Sequence, residues 1–440
     1  MKIELPKNVK RIIDDLNAAG YEAYAVGGCV RDTLLGRVPN DWDITTSALP
    51  MEVKSIFKRT VDTGLKHGTV TVLMDKETYE VTTYRIDGEY EDSRHPKEVS
   101  FTRELKEDLL RRDFTINAMA YNDTDGLVDL FGGIEDIKAK VVRCVGEPKE
   151  RFSEDALRLL RAIRFCAQLG YSMDEKTYEA VKELAPTLKN ISAERIQAEL
   201  NKTLISDNPS MLKVAYETGL TSQFIPELDV CFKTEQNNPH HCYNVGDHII
   251  KAIESVKPEK ALRLAMLLHD IGKPVCKTVD EEGISHFHGH PIKSADIARD
   301  VLHRLKYDND TISKVIKLVK YHDERIEKGT LYMRRAINRI GVDAFPDIFE
   351  VWRADLTAQS NYMREEKFQR LSDNIADYEE IIKEADCISL KDLAVSGKDL
   401  LDKGIKAGPQ IGEILNKMLT DVIDNPEHND KEYLLNTFCE

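Results

Sequence analysis

Two aspartates separated by a single residue, Asp41 and Asp43, follow shortly after a pair of glycines, Gly27 and Gly28. Glycines let backbone N–H groups approach an anion, and the N-terminus of a following helix favours negative charge. If Trp42 faces the core of a strand, both carboxylates point to the other face, where paired oxygen ligands suit Mg²⁺ together with substrate phosphates. Each feature alone is common in turns and at strand edges. Together they predict a phosphate-binding turn beside a magnesium site, and therefore phosphoryl or nucleotidyl transfer.

A second group of charged residues lies at positions 111–121, where we expect a helix whose apolar face includes Phe114 and Met119. Arg112 and Asp113 fall near the start of this helix. Such a neighbouring pair could bind a triphosphate or a ribose, and it could equally form an ordinary ion pair at the surface.

The segment that begins at Ser153 predicts one further helix, with this serine as its N-cap and acidic residues in its first turn. Glu154, Arg158 and Arg161 follow the spacing that puts side chains on one helix face, and Asp155 lies beside them. A carboxylate acceptor beside a guanidinium donor offers a hydrogen-bonding edge of the size of a base edge. The helix could therefore select an incoming nucleotide without a template. Salt bridging between neighbouring turns is the alternative.

The composition is typical of a soluble globular protein with several domains, because 440 residues exceed the usual size of one core and hydrophobic residues make up 41%. No apolar run is long enough to cross a membrane, and the first residues lack the apolar segment of a signal peptide. Eight cysteines occur without CxxC spacing, so we expect a reducing, cytoplasmic environment. The net charge of −15 restricts nucleic-acid binding to local basic stretches.

Strand signals are confined to the first third of the chain. Residues 69–74 and 79–84 predict two β-strands joined by a turn, and residues 141–145 predict another. Beyond these strands helical periodicity dominates, and a proline-containing segment at 237–239 indicates a second boundary. The stretch 85–98 is polar and rich in turn residues, which predicts a mobile loop beside the candidate site.

These motifs, in this order, resemble those of the class II (bacterial-type) tRNA nucleotidyltransferases, the CCA-adding enzymes, and of their poly(A) polymerase relatives. The resemblance covers roughly the first half of the chain. It rests on the following segments: Gly-Gly-x-Val-Arg-Asp at 27–32, Asp41-x-Asp43, Arg111-Arg112-Asp113, Glu154-Asp155-x-x-Arg158 and Glu194-Arg195-Ile196-x-x-Glu199-Leu200. It implies that the 3′-hydroxyl of tRNA attacks the α-phosphate of CTP or ATP while pyrophosphate leaves. Asp41 and Asp43 would then bind two Mg²⁺ ions, with Glu80 as the candidate for a third catalytic carboxylate.

The resemblance also implies which residues bind the nucleotide. Arg112, Asp155 and Arg158 would recognise CTP and ATP, with Glu154 bracing them, and the Gly27–Arg31 segment would hold the triphosphate. The expected nucleotide-binding residues are Gly27, Gly28, Arg31, Arg112, Asp113, Asn117, Glu154, Asp155, Arg158, Arg161 and Arg164.

A separate set of histidines and aspartates lies in the second half of the chain. The four candidate ligands are His248, His269, Asp270 and Asp355. They resemble the His … His-Asp … Asp pattern of the HD superfamily of metal-dependent phosphohydrolases, and this mixed set suits Mn²⁺, Ni²⁺, Fe²⁺ or Mg²⁺. His290 and His322 are candidates for a second metal. The expected activity is that of a 2′,3′-cyclic phosphodiesterase or phosphatase acting on tRNA ends. A vestigial scaffold with core histidines is the alternative.

The expected fold is α+β, with a polymerase-β-like nucleotidyltransferase head followed by an all-α neck, body, HD domain and tail. The corresponding segments are a head at 1–146, a helical neck and body for base recognition and RNA binding at 147–236, an HD domain at 237–360, and a tRNA-binding helical tail at 361–440.

We therefore expect a template-independent enzyme that adds CCA to the 3′ end of tRNA from CTP and ATP. Addition of A alone, addition of CC alone and poly(A) synthesis are alternatives. The acidic pI argues against poly(A) synthesis, and the loop at 85–98 favours full CCA or A-only addition. A phosphohydrolase whose head only senses nucleotides is a further alternative, against which the Asp41–Asp43 pair argues. An RNA-binding scaffold is least favoured, and no sequence feature fixes the oligomeric state.

Overall fold

The computed structural model describes residues 2–87, 99–384 and 386–439. The chain divides into two units, Met1–Pro226 and Glu227–Glu440. Among the described residues, strands longer than two residues occur only in the first unit, as the confinement of strand signals to the first third of the sequence predicts. The four-domain division stays a prediction, because the two units divide the chain more coarsely.

The strands of the first unit are β1 (Ala23–Val26), β2 (Ile44–Thr46), β3 (Thr60–Gly64), β4 (Thr69–Met74), β5 (Glu77–Thr83), β6 (Arg85–Asp87), β7 (Val99–Phe101), β8 (Met119–Asn122), β9 (Gly126–Asp129), β10 (Val141–Val142) and β11 (Ser172–Met173). Its helices are α1 (Lys7–Ala18), α2 (Gly28–Leu34), α3 (Pro50–Ile56), α4 (Leu105–Leu110), α5 (Gly133–Ala139), α6 (Pro148–Glu154), α7 (Leu157–Leu169), α8 (Glu175–Leu184), α9 (Ala193–Leu204) and α10 (Met211–Glu217), and α11 (Pro226–Phe232) begins at its last residue.

Seven strands form one sheet in the order β3-β4-β5-β2-β1-β8-β9. β2 and β5 are parallel, with Ile44 opposite Val81, and the other neighbours in this sheet are antiparallel. This parallel register is what brings Asp43 and Glu80 together, because each is the residue immediately before the paired one. One face of the sheet packs under the apolar side of α1, and Leu109 of α4 packs on the other face.

The strand pair β4 and β5 confirms the sequence prediction closely. β4 spans Thr69–Met74, as expected, and β5 begins at Glu77, two residues earlier than expected. The intervening Asp75 and Lys76 both have positive φ (51° and 71°), which is typical of a tight hairpin turn whose twist matches the strands. The strand expected at 141–145 is limited to the two residues of β10.

The helix expected at 111–121 is wrong. Helix α4 ends at Leu110, a single 3₁₀ turn follows at Thr115–Asn117, and β8 begins at Met119. Tertiary pairing explains the difference, since the backbone N–H of Thr115 donates to the carbonyl oxygen of Arg143 at 2.9 Å and the N–H of Val145 donates to that of Asp113 at 3.1 Å. These pairings hold the segment extended, which overrides its helical spacing.

The single helix expected from Ser153 onward is also wrong, because α6 ends at Glu154 and α7 begins at Leu157. Asp155 lies between them in an extended conformation, and its carboxylate accepts a hydrogen bond from the N–H of Leu157 at 3.0 Å. A short acidic side chain that bonds its own backbone in this way competes with helix continuation. Ser153 is not an N-cap, since its hydroxyl donates to the carbonyl oxygen of Lys149 inside α6.

Among its described residues, the second unit is helical apart from one two-stranded hairpin and the connecting loops. Its helices are α12 (Val245–Ser255), α13 (Lys260–Leu268), α14 (Lys273–Cys276), α15 (His290–Arg304), α16 (Asn309–Lys320), α17 (Thr330–Ile340), α18 (Phe345–Ala358), α19 (Arg364–Glu384), α20 (Gly397–Asp402), α21 (Pro409–Asp424) and α22 (Lys431–Phe438), and the hairpin pairs β12 (Thr278–Val279) with β13 (Ser285–His286). Within the described ranges, no helix combines the length and the apolar character needed to cross a bilayer.

Candidate functional site

Three carboxylates converge at one edge of the parallel strand pair in the first unit. Asp41 and Asp43 are exposed just before β2, whereas Ile44 is buried and Trp42 packs against the same core. The expectation that the two aspartates share the face opposite the core is therefore confirmed. Although Asp43 is exposed overall, neighbouring groups partly desolvate its carboxyl group, which raises its pKa, and the charge of Asp41 and, more weakly, of Glu80 raises it further. This mutual repulsion between carboxylates is relieved by a bound cation.

No side chain in the described part of the protein forms a hydrogen bond or ion pair with the carboxylate of Asp41 or Asp43. The nearest compensating charge is Arg112, which lowers the pKa of Asp43. Oxygen ligands that are accessible and otherwise unpaired suit a hard divalent ion. The donor set thus fits the magnesium pair expected from the sequence.

Gly27 sits against the guanidinium that faces these carboxylates. Its φ is +82°, and a Cβ atom at this position would lie 2.9 Å from Nη1 of Arg112. Both the backbone conformation and the close approach therefore require glycine. Arg112 is held by Asp108, which is completely buried and also pairs with Arg111 at 2.6 Å. Although burial would raise it, these two arginines keep the pKa of Asp108 below its usual value, so the carboxylate stays charged.

A chain of hydrogen bonds links α2 to α7 beside this glycine turn. Nη1 of Arg31 donates to Oδ1 of Asn117 at 2.6 Å, and Nδ2 of Asn117 donates to Oδ1 of Asp113 at 3.0 Å. The second Asp113 oxygen accepts from Nε and Nη2 of Arg161 at 2.8 and 2.5 Å. Despite burial, Arg161 and Asn117 hold the pKa of Asp113 at about 2. Asp113 therefore pairs with Arg161 rather than with its neighbour Arg112.

Phe165 forms the platform beneath three of the expected nucleotide-binding arginines. The guanidinium carbons of Arg31, Arg161 and Arg164 lie 5.1, 5.4 and 4.0 Å from the centre of its ring. Arg164 also pairs with the buried Glu199 of α9 at 2.5 Å. Each of the three guanidinium groups also pairs with a carboxylate: Arg31 with Asp32, Arg161 with Asp113 and Arg164 with Glu199. The aromatic face and these carboxylates therefore hold the arginines in fixed positions.

The segment at Glu154 and Arg158 joins α6, α7 and the end of α4. Arg158 donates to Oε2 of Glu154 at 2.6 Å and to the carbonyl oxygens of Arg151 and Arg111 at 2.8 and 3.0 Å. The second oxygen of Asp155 accepts from Arg195 of α9 at 2.8 Å. The expected bracing of Arg158 by Glu154 is present in this geometry. The assignment of Asp155 and Arg158 to base recognition stays a prediction.

The structure thus brings two groups of expected residues close in space within the first unit. Asp41, Asp43 and Glu80 form the carboxylate edge, and the arginines from α2, α7 and the end of α4 form a neighbouring network of paired charges. Sequence reasoning missed Asp108 and Phe165, which orient these arginines. The four-residue spacing between Asp108 and Arg112 could have indicated the first, and no sequence signal indicated the second.

In the second unit, six buried side chains form a cluster centred on one aspartate, Asp270. They are His248, His269, Asp270, His290, His322 and Asp355. Oδ2 of Asp270 lies 3.3 Å from Nε2 of both His248 and His269, while Oδ1 lies 3.3 and 3.4 Å from Nε2 of His290 and His322. Asp270 is therefore shared by two three-residue groups, and each group has the arrangement of a metal site. The structure brings all six expected ligands together, and their assignment to two adjacent metal sites stays a prediction.

The histidine ring nitrogens in this cluster are arranged to bind cations. Nδ1 of His269, His290 and His322 lies 2.7–2.8 Å from a backbone carbonyl oxygen, so Nδ1 carries a proton and Nε2 is the nitrogen that faces the cluster. Nε2 of His248 lies 3.2 Å from Nε2 of His269, so either a proton on one of them or a shared cation must lie between the two nitrogens. Donors that share an octahedral ion with bonds of about 2.1 Å lie about 3.0 Å apart. The donor set therefore fits one divalent ion in each group.

The carboxylates of this cluster are held ionised. Neither oxygen of Asp270 accepts a well-directed hydrogen bond, although Nζ of Lys273 lies 2.7 Å from Oδ2. Despite burial, His269 and Lys273 keep the pKa of Asp270 well below its usual value. Asp355 is oriented by Gln359, whose Nε2 donates to Oδ2 at 2.8 Å. Sequence reasoning did not assign roles to Lys273 or Gln359.

Comparison with protein families agrees with this arrangement. The poly A polymerase head domain matches residues 23–143, the family described as a probable RNA and SrmB-binding site of polymerase A matches residues 170–232, and the tRNA nucleotidyltransferase domain 2 family matches residues 290–438. Fold and site thus define a nucleotidyltransferase of the poly(A) polymerase class, with a polymerase-β-like head. Enzymes of this class use divalent metal ions.

Several similar relatives are named CCA-adding enzymes. One from Limosilactobacillus reuteri is 36% identical over 426 residues, which cover 96% of this chain and 94% of that enzyme. One from Enterococcus faecalis is 54% identical over 202 residues, covering 46% of this chain and 50% of that enzyme. The solved Bacillus stearothermophilus CCA-adding enzyme in complex with CTP has a TM-score of 0.70 at 31% identity, covering 97% of this chain and 95% of that one. The chain belongs to the family of CCA-adding enzymes, which confirms the family expected from its motifs.

Proposed function

We propose that this protein adds CCA to the 3′ end of tRNA, using CTP and ATP. The observation that carries the proposal is the convergence of Asp41, Asp43 and Glu80 beside Gly27 and Arg112. These residues put a cation-binding edge next to a close-packed turn and a basic side chain, which is the arrangement that a nucleoside triphosphate requires. The similarity to an enzyme solved with CTP supports the same substrate class. Sequencing of tRNA ends after incubation with CTP and ATP tests the proposal.

The chain's own residues would bind and orient the substrate. Arg112, fixed by Asp108, lies where it can pair with the triphosphate, and Gly27 lets the phosphates approach the backbone. Mg²⁺ bound by Asp41 and Asp43 would supply Lewis-acid stabilisation of the charge that develops on the attacked phosphate. The Glu154–Arg158 pair fixes the geometry of the junction between α6 and α7. The hydrogen-bonding groups of Asp155 and Arg158 would therefore already be in position when a nucleotide base binds.

Substitution of Arg158 by alanine should remove discrimination among nucleotides. The change deletes the donor edge, leaves Glu154 with Arg151 as its remaining partner and removes the donor to two carbonyl oxygens, so we also expect a loss of about 1–3 kcal/mol in stability. Competition between all four nucleoside triphosphates measures the selectivity, and thermal unfolding measures the stability. Arg11→Ala on the exposed side of α1 is the matched control. Unchanged selectivity for CTP and ATP in the Arg158 variant would exclude it from base recognition.

The loop at 85–98, which we expect to be needed for adding A after C, lies largely outside the described residues, since 88–98 are not described. Its ends are defined, because β6 and β7 pair with Asp87 opposite Val99. Replacing residues 88–98 with a two-residue Asn-Gly turn should therefore preserve the strand pair in its register. We expect the variant to add CC and to lose the terminal A, as read by sequencing tRNA ends. Completion of CCA by this variant would reduce the stretch to a connector.

We further propose that the second unit is a metal-dependent phosphohydrolase, most simply for a 2′,3′-cyclic phosphate on an RNA end. The observation that favours this second activity is the pair of three-residue groups sharing Asp270, with histidine tautomers set by backbone carbonyl groups. Mn²⁺, Ni²⁺ or Fe²⁺ bound there would supply Lewis-acid stabilisation of the phosphoryl oxygens. Lys273, beside Asp270, lies where it can contact a phosphoryl oxygen.

A further inference from the structure

A cavity of about 770 Å³ opens beside the histidine and aspartate cluster of the second unit. Asp270, His290, His322 and Asp355 all border it, so a molecule in the cavity reaches the proposed metal ligands directly. Its size is that of a site for a ligand larger than a single phosphate.

One face of α19 forms a wall of this cavity. Lys367, Arg370, Leu371 and Asn374 line it, and their spacing of three, four and seven residues puts them on one side of the helix. Leu371 and Asn374 are buried, and Oδ1 of Asn374 has no hydrogen-bond partner. A buried amide oxygen without a partner at a cavity wall is costly unless a ligand or water satisfies it.

The two cations on this wall have no carboxylate partner within 4 Å among the described residues. Burial lowers the pKa of Lys367, and the charge of Arg325 across the cavity lowers it further, while Asp355 opposes them. Arg325 has only a distant pairing with Asp323, at 3.9 Å. Cations that lie near one another without an intervening anion attract an anionic group of the ligand.

The distance from Lys367 to the metal ligands is set by one glutamine. Nζ of Lys367 donates to Oε1 of Gln359 at 2.8 Å, and Nε2 of the same amide donates to Oδ2 of Asp355 at 2.8 Å. The ammonium group therefore lies at most about 8 Å from the carboxylate. Successive phosphates of an RNA strand are separated by one ribose and its exocyclic carbon, a separation comparable to this distance. A phosphate at the metal ligands would thus place the preceding phosphate within reach of Lys367.

We propose that Lys367 and Arg370 bind the internucleotide phosphate that precedes the last nucleotide of an RNA 3′ end, so that the cavity selects strand ends over free mononucleotides. Arg325 and Arg370 are exposed, so the outer end of this wall is open to solvent, where the rest of a strand would extend. The inference rests on the proposed phosphohydrolase activity for its substrate. The phosphate-binding wall itself stands on geometry alone.

The first test compares two substrates on the full-length protein with Mn²⁺. Cytidine 2′,3′-cyclic phosphate lacks the preceding phosphate, whereas the dinucleotide CpC with a terminal 2′,3′-cyclic phosphate contains it. We expect kcat/KM to be about tenfold higher for the dinucleotide, and Lys367→Met to bring the ratio of the two values to about one. Lys383→Met, an exposed lysine on the same helix, should keep the wild-type ratio. Equal kcat/KM values in the wild type would overturn the inference and leave the phosphohydrolase proposal intact.

The second test measures binding without hydrolysis. The product dinucleotide CpC with a 3′-phosphate and a 5′ fluorescent label is titrated with protein in EDTA, and anisotropy is recorded. The Lys367→Met variant should bind about tenfold more weakly than both the wild type and Lys383→Met. If the protein hydrolyses neither cyclic phosphate with any of the three transition metals, the phosphohydrolase proposal fails. The difference in binding between the wild type and the Lys367 variant then still tests whether α19 binds the internucleotide phosphate. Equal binding by the wild type and the Lys367 variant would overturn that role.

Discussion

Asp43→Ala, and equally Asp41→Ala, should lower the rate of nucleotide addition by at least about a thousandfold while tRNA binding stays nearly unchanged. The two carboxylates form the cation-binding edge beside Gly27, and metal-ion stabilisation of a phosphoryl transition state is worth several kcal/mol, with about 1.4 kcal/mol for each factor of ten. The body of the tRNA does not need these carboxylates for binding. Single-turnover addition of radiolabelled CTP and a gel-shift titration with tRNA measure the two properties separately.

Asp14→Ala on the exposed side of α1 provides a control for this pair, because it removes a carboxylate from the same unit away from the site. It should change neither addition nor tRNA binding. If either the Asp41 or the Asp43 variant adds nucleotides at a rate near that of the wild type, the carboxylate edge is not the site of transfer.

Asp270→Ala should abolish both metal retention and phosphoester hydrolysis in the second unit and spare nucleotide addition. Asp270 contributes one oxygen to each three-residue group, so its loss removes a ligand from both. Imidazole ligands suit Mn²⁺, Ni²⁺ or Fe²⁺ better than Mg²⁺, so wild-type hydrolysis should rise with these ions, whereas addition should depend on Mg²⁺. Bound metal per chain, hydrolysis of a 2′,3′-cyclic phosphate and CCA addition are measured on one preparation.

Because Asp270 is buried among four histidines, its substitution can also destabilise the fold. His322→Ala keeps the first group intact and removes one ligand of the second, so we expect about half of the bound metal to remain. His303→Ala, an exposed histidine on α15, is the control that should change nothing. No bound ion in the wild type and no hydrolysis with any of these metals would identify the cluster as a structural remnant.

The parts of the site that sequence reasoning predicted correctly depend on local periodicity. The alternation of Asp41, Trp42, Asp43 and Ile44 has the period of a strand, and the structure puts the apolar pair into the core and the acidic pair outside it. β4 and its turn follow from the same alternation and from a short polar break between two apolar runs. Such signals are contained within a few residues, so no distant contact can reverse them.

The elements that sequence reasoning predicted wrongly are those that form hydrogen bonds with residues far away in the sequence. Residues 113–115 have helical spacing, yet they pair with residues 143–145, which no local pattern reveals. Asp155 was expected inside a helix, but its carboxylate caps the next helix and pairs with Arg195, forty positions away. Tertiary hydrogen bonds of this kind outweigh intrinsic helix preference.

The same limit applies to the side chains that complete each site. Phe165 contributes an aromatic face to three arginines from α2 and α7, and in the sequence it is an ordinary apolar residue of a buried helix. Lys367 and Gln359 reach the metal ligands only because α19 packs beside α18. Their roles depend on contacts between helices, and no pattern of neighbouring residues in the sequence reveals such contacts.

The most direct test of the central claim is an end-addition assay on purified protein. A tRNA lacking its terminal CCA is incubated with Mg²⁺ and with CTP alone, ATP alone or both, and the 3′ ends are sequenced. We predict CC with CTP alone, and CCA that stops after one A with both nucleotides. Failure to extend the tRNA under any of these conditions, or a long run of A residues, would contradict the account.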